Sequence, residues 1–259
     1  MGLLAGGLGC ATDHPPAGTA ERHPANPGAE AAQALVSGES KLRAGDLPGA
    51  LDDYNRAISL RPKHAPAYAG RAFVRYQQGN LDESIADFTR ALEIDPTLAS
   101  AYGARAYVRL TRGELDRAIG DFTKTLELDP QDAMASHGRG LARSRKGDNA
   151  GALLDYSEAI RLDATLSAAW NNRGVLRFQT NDLDGAVSDF TAALALDDRD
   201  EAAYTNRGAA YERQGNWPQA VADYQTALEV ASADWPLRAQ VERRLSHAIE
   251  AGKARNDAK

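Results

Sequence analysis

Six aspartates, Asp53, Asp87, Asp121, Asp155, Asp189 and Asp223, recur at one constant interval, each followed at once by Tyr or Phe. Arg71, Arg105, Arg139, Arg173 and Arg207 keep the same interval, each a fixed distance ahead of one of the last five aspartates, and Arg75, Arg109, Arg143 and Arg177 follow one helical turn later. A planar guanidinium matches a carboxylate for two parallel, charge-assisted hydrogen bonds. The pattern therefore predicts a structural ladder of Arg–Asp pairs, repeated along the chain. The competing chemistry is capture of an acidic ligand by the arginines; an aspartate in every repeat favours internal pairing.

Little else in the sequence has the spacing that chemistry needs. His14, His23, His64, His137 and His247 include no pair at i, i+4 and no HExxH, so a zinc site has no support. Cys10 is the one cysteine, which excludes an internal disulfide. No phosphate-binding GxxxxGK[ST] and no GxSxG nucleophile turn occurs. Neither a cofactor nor enzymatic activity is expected. Lys and Arg total 30 against 36 Asp and Glu, and the two signs are interspersed along the chain with no basic stripe, so nucleic acid is not an expected partner. No segment reaches the roughly 18–20 apolar residues that a membrane-spanning helix requires.

The elements that must hold the ladder follow from the same period. Six units of equal length, 31–64, 65–98, 99–132, 133–166, 167–200 and 201–234, run without insertion or deletion. Each reads as two amphipathic helices around a turn marked by Gly45-Asp46, Gly79-Asn80, Gly113-Glu114, Gly147-Asp148, Asn181-Asp182 or Gly215-Asn216. Small residues recur where helices must approach: Gly38, Ala72, Ala106, Gly140, Gly174 and Gly208 on the first helix. Two further small columns, beginning at Ala50 and Ala57, flank the aromatic on the second. One buried Phe or Tyr per unit is the expected core filler between stacked helix pairs.

The unit Ala65 to Leu98 carries Tyr68, Ala72, Gly79, Ser84, Phe88, Ala91 and Pro96 at the spacing of a tetratricopeptide repeat, and the chain resembles that family over 31–234. The resemblance implies an all-α, right-handed solenoid of helix-turn-helix repeats whose concave face binds a peptide or a partner protein. It implies that the first helices line that face, with Phe73, Tyr76, Tyr107, Leu110, His137, Leu141, Asn171, Asn172, Val175, Phe178, Thr205 and Asn206 as exposed partner-binding candidates. Aromatic rings beside side-chain amides suit an extended peptide. The lysines and asparagines of the clamp that holds chaperone C-termini are absent from the corresponding positions, where Ala, Gly, Phe or Tyr stands. Arginine where the family most often has Leu is a consistent departure. Self-assembly into a homo-oligomer is the other structural expectation.

Both ends are atypical, as a solenoid requires. Ala34 and Ser37 replace the aromatic and arginine of later units. After the sixth, Asp234, Trp235 and Pro236 open a capping helix over 235–252, with Leu237, Val241, Leu245 and Ala248 as its apolar stripe and Gly252 as its stop. Residues 253–259 should fray. Residues 11–30, with Pro15, Pro16, Pro24 and Pro27, predict a flexible tether. Ahead of it, MGLLAGGLGC resembles the end of a bacterial lipoprotein signal, with Leu8-Gly9-Cys10 placing a lipid on Cys10. It departs from that pattern in lacking a positive segment, in a short apolar run and in Gly7. The resemblance implies an envelope lipoprotein facing the periplasm, attached to a membrane only through Cys10; a cytoplasmic adaptor is the alternative.

Overall fold

The computed structural model describes residues 26–257. Six helix pairs follow one another: α1 (Pro27–Arg43) with α2 (Leu47–Leu60), α3 (Ala65–Gln77) with α4 (Leu81–Ile94), and α5 (Ala99–Thr111) with α6 (Leu115–Leu128). Then come α7 (Ala133–Lys146) with α8 (Asn149–Leu162), α9 (Ser167–Gln179) with α10 (Leu183–Leu196), and α11 (Glu201–Arg213) with α12 (Trp217–Val230). A final helix, α13 (Arg238–Asp257), packs on α12. Each second helix also packs on the first helix of the next pair, and successive first helices touch one another, so the first helices line one side of the array.

The turns have a stereochemical cause. Within two residues of the end of each first helix one residue sits in the left-handed region, at φ +90° for Gly147 and +67° for Asn181, the one non-glycine there among the described residues. That conformation costs glycine nothing and asparagine little. Asp46, Asp148 and Asp182 then cap the second helices by accepting from the backbone N–H three residues on, at 2.9–3.0 Å.

The core is the aromatic column. Tyr54, Phe88, Phe122, Tyr156, Phe190 and Tyr224 are all at most 2% exposed, and the alanine columns around them are buried. A polar residue in a small column is internally satisfied: Ser84 Oγ donates to the Ala72 carbonyl at 2.8 Å, and Thr125 Oγ1 to that of Asp121 at 3.1 Å. Gly138 shows how close the packing is, because a Cβ there would lie 2.4 Å from the Phe122 ring. Gly138→Ala should therefore destabilise: overpacking costs roughly 1–3 kcal/mol and helix propensity returns only about 0.8–1. Gly120→Ala, on the open face of α6 with nothing within 4 Å, should instead stabilise. Urea unfolding of the two variants reads the opposite signs; the same sign for both would contradict the packing.

The ends differ from the sequence expectation. Helix α1 starts at Pro27, not 31, because Asn26 caps it by accepting from Gly28 N–H at 3.0 Å and Pro27 occupies the first turn; the last residues of the expected tether are thus helical. The helix expected over 235–252 spans Arg238–Asp257. Trp235 and Pro236 stay in turns, and Leu237 lies outside the helix, 44% exposed, so it leaves the apolar stripe to Val241, Leu245 and Ala248. Gly252 does not stop α13. Its missing side chain lets the helix pass Trp217, whose Cβ would stand 3.2 Å from a Cβ at Gly252, and Arg255 Nη1 donates to the Gly215 carbonyl at 2.6 Å. Residues 253–257 are therefore helical, not frayed. Cys10 and residues 1–25 lie outside the described residues.

Candidate partner-binding surface

The arginines and aspartates form a continuous network. Nε and Nη2 of Arg71 donate to both carboxylate oxygens of Asp87 at 2.8 and 2.7 Å, and the same fork joins Arg105 to Asp121, Arg139 to Asp155, Arg173 to Asp189 and Arg207 to Asp223. The next turn adds a second cation to four of these aspartates, Arg75, Arg109, Arg143 and Arg177, at 2.6–3.0 Å. The remaining Nη1 of each first-column arginine reaches back one repeat, to Asn55, Thr89, Thr123, Ser157 or Thr191. Four of the guanidiniums also lie 5.0–5.6 Å from the ring three residues earlier, Tyr68, Tyr102, Trp170 or Tyr204. With most donors engaged and, in four of them, one face on a ring, these arginines are spoken for within the fold and offer an acidic ligand little. Asp53 is held differently, by Ser37 Oγ at 2.6 Å and Lys41 Nζ at 2.7 Å, since the first repeat has no arginine there.

The inner side of the array carries the other candidates. Phe73 is 41% exposed, and Tyr76 and Tyr107 are half-buried beside it. Together with Met134, 49% exposed on α7, they wall an apolar notch of about 340 Å³. Tyr107 is anchored there: its hydroxyl donates to the Met134 carbonyl at 2.7 Å and its ring meets Phe122 edge-on at 4.9 Å. Leu110, expected on this surface, is 4% exposed and belongs to the core with Ala106, Ala118 and Phe122; its place on α5 faces the neighbouring pair, not the groove. Leu141 is half-buried against the same cluster.

Farther along, the surface turns to amides. Asn172 Nδ2 lies 2.9 Å from His137 Nε2, and Asn206 Nδ2 donates to Asn171 Oδ1 at 3.3 Å, so polar side chains pair from one first helix to the next. Thr205 Oγ1 bonds its own helix at the Glu201 carbonyl, 2.8 Å away. Val175 and Phe178 pack on Ala186, Phe190 and Ala210, with the Arg213 guanidinium 4.8 Å above the Phe178 ring. Phe178 therefore holds repeats together and is not a free surface ring. Met134 was absent from the sequence candidates, although it stands at i relative to His137 at i+3 and Leu141 at i+7 on one face of α7, a spacing that marks it.

His137 is 8% exposed, its Nδ1 is buried without a partner, and desolvation holds its pKa below the ordinary histidine value. The folded chain then binds fewer protons at this site than the unfolded chain does. The stability carried by the neutral ring is complete above about pH 6.5 and is lost as pH falls below it. Melting temperature should fall on going from pH 7.5 to 5.5, less so in His137→Gln; equal slopes in both proteins would exclude His137 as a source. His64, also lowered by burial, contributes in the same direction and remains in the variant.

Helix pairs in one register, with a buried ladder between them and a lined inner surface, define an all-helical repeat solenoid, the architecture of a protein–protein interaction scaffold. Tetratricopeptide repeat models match residues 39–109, 104–167 and 201–234, and a TPR repeat model matches 176–215. The chain belongs to the tetratricopeptide-repeat family. Comparison with curated proteins gives no match. Among solved structures, PilF of Pseudomonas aeruginosa superposes with a TM-score of 0.75 at 12% identity over 85% of this chain and 99% of its own. A chain of the APC/C Cut9–Hcn1 hetero-tetramer gives 0.70 at 18% identity over 85% of this chain, which spans only 43% of that one. YrrB, a TPR protein with an unusual peptide-binding site, gives 0.61 at 22% identity over 73% of this chain and 97% of its own. At these identities the likeness is one of fold.

Proposed function

We propose that this protein is a non-enzymatic adaptor that holds a peptide or an extended segment of a partner protein along the inner face of its first helices. The observation that carries the reading is the composition of that face. In a chain that is 25% charged, it presents the rings of Phe73, Tyr76 and Tyr107 in the second and third repeats and then the amides of Asn171, Asn172 and Asn206 in the fifth and sixth. Rings bury apolar side chains, and amides pair with a main chain. YrrB, a protein of the same fold with an unusual peptide-binding site, supports peptide binding by an array of this kind.

Joint substitution of Asn171, Asn172 and Phe178 is not a clean test, because Phe178 is packed into the fold. Site-specific photo-crosslinking is cleaner. A benzophenone side chain at Phe73 or Asn171 should give discrete crosslinked products in the producing cell, while the same group at Leu154, 72% exposed on a second helix, should give none. Products from position 154 alone would move the site to the other face.

We further propose that the array is tethered to a bacterial envelope through a lipid on Cys10, on the strength of Leu8-Gly9-Cys10 ahead of a proline-containing segment. Palmitate label lost in Cys10→Ser supports the tether; unlabelled, freely soluble protein supports a cytoplasmic adaptor instead.

A further inference from the structure

We infer that the notch between α3, α5 and α7 is a specificity pocket for one large apolar side chain set in an uncharged stretch of the bound peptide. This deepens the reading of the inner face and rests on it. The notch has Phe73, Tyr76, Tyr107 and Met134 as walls and Phe88 and Val108 at its base, and no Lys, Arg, Asp or Glu lines it. Its volume of about 340 Å³ is at the small end of ligand pockets, roughly 300–1,000 Å³, room for a side chain and not for a folded element. Two of the large apolar residues that the described surface leaves exposed, Phe73 and Met134, stand on its rim, whereas Leu154, Val36 and Leu237 stand apart on other helices or turns.

Charge complementarity selects the occupant. A carboxylate placed among these rings would lose its hydration and find no counter-ion, because the nearby ladder arginines are committed to their aspartates. An ammonium would lose its hydration too, and Asp132, the carboxylate felt at Tyr107, lies outside the lining and caps α7 through the Ala135 N–H. An apolar side chain loses nothing and covers the exposed rim. The one polar group of the walls that the fold engages, the Tyr107 hydroxyl, already donates to the Met134 carbonyl, so it does not ask the ligand for an acceptor. Beyond the notch the inner face continues with His137, Asn172, Asn171 and Asn206, which suits uncharged polar residues or bare main chain on that side of the anchor. The occupant is therefore a Phe, Leu, Met or similar residue flanked by Gly, Ser, Thr, Asn or Gln, not an acidic or basic motif.

The test uses the full chain and a displayed library of random twelve-residue linear peptides as the probe. The expected selection converges on one large apolar position with Asp, Glu, Lys and Arg depleted beside it. Of the two methionines, Met1 and Met134, the second reports on the pocket directly. With [13C-methyl]methionine labelling, the Met134 signal, assigned by its loss in Met134→Leu, should shift when a selected peptide is added. Phe73→Glu and Met134→Glu should each weaken that peptide about tenfold or more, while Met134→Leu retains it. Both glutamate variants change exposed residues, and an unchanged melting curve shows that they fold. Selection of charged motifs, or an unmoved Met134 signal, overturns the pocket. In that event crosslinks from Asn171 would still uphold the inner face, whereas an empty selection together with no crosslinks would remove both readings.

Discussion

Asp121→Ala should lower the melting temperature by on the order of 10 °C, from a loss of roughly 3–5 kcal/mol in an array of this size. Asp121 is 7% exposed at its side chain and accepts from Arg105 at 11% and Arg109 at 16% exposure, so its removal leaves two guanidiniums buried without a counter-ion. Losing both partners' hydrogen bonds at once is the costly case, far above the ~0–1 kcal/mol of an exposed pair. Glu127→Ala, which breaks the exposed Lys124–Glu127 pair, is the control and should move the melt by no more than about 2–4 °C. Replacing Arg105, Arg109 and Asp121 together with apolar residues of similar volume should recover much of the loss, since the cost lies in the orphaned charge and not in the absence of the bridge. Circular-dichroism melts of the three proteins decide it. A shift in Asp121→Ala no larger than the control's would mean that water reaches the arginines.

Phe122→Ala should cost a similar amount, roughly 3–5 kcal/mol, for a different reason. Its ring is fully buried in a cluster whose other buried members are Leu110 and the short side chains of Ala106, Ala118, Ala135 and Ala142, which leave little to fill the void. It also supports Tyr107 edge-on, so truncation should loosen a wall of the inner-face notch and weaken peptide binding beyond what the stability loss explains. The same ring is what forbids a side chain at Gly138. In a Phe122→Leu background, Gly138→Ala should therefore lose its penalty, and the double mutant should be more stable than the two single changes predict by addition. Strict additivity in urea unfolding would mean that ring and glycine do not meet.

Much of this architecture is legible in one sequence because repetition supplies the comparison that an isolated domain lacks. Six copies in register distinguish the columns that must be small, Ala50 to Ala220, from the column that must be large, Tyr54 to Tyr224, and a partner for each arginine can be read from the fixed interval between the two columns. The second arginine column was visible on the same helical face, but that Arg75 and Arg71 would converge on one carboxylate was not. Nor was the reach of Arg71, Arg105 and Arg173 back to Asn55, Thr89 and Ser157 of the preceding repeat, which depends on how adjacent pairs are rotated. The ends were less legible, since a capping helix has no repeat to be compared with: Gly252 has the look of a helix stop and acts instead as a place for Trp217.

The local and periodic part of the protein, its helices, turns, core columns and the pairing of Arg with Asp, is thus written in the chain alone. These features follow from side-chain size, charge and spacing within about one repeat. Which inner-face residues remain free is a matter of tertiary packing. Leu110 and Leu141 share the helical face of Tyr107 and His137, yet Leu110 is buried and Met134 is exposed, because the stagger between neighbouring first helices covers one site and opens another. Helical periodicity places a residue on a face; only the packing of the next helix decides whether that face meets protein or solvent.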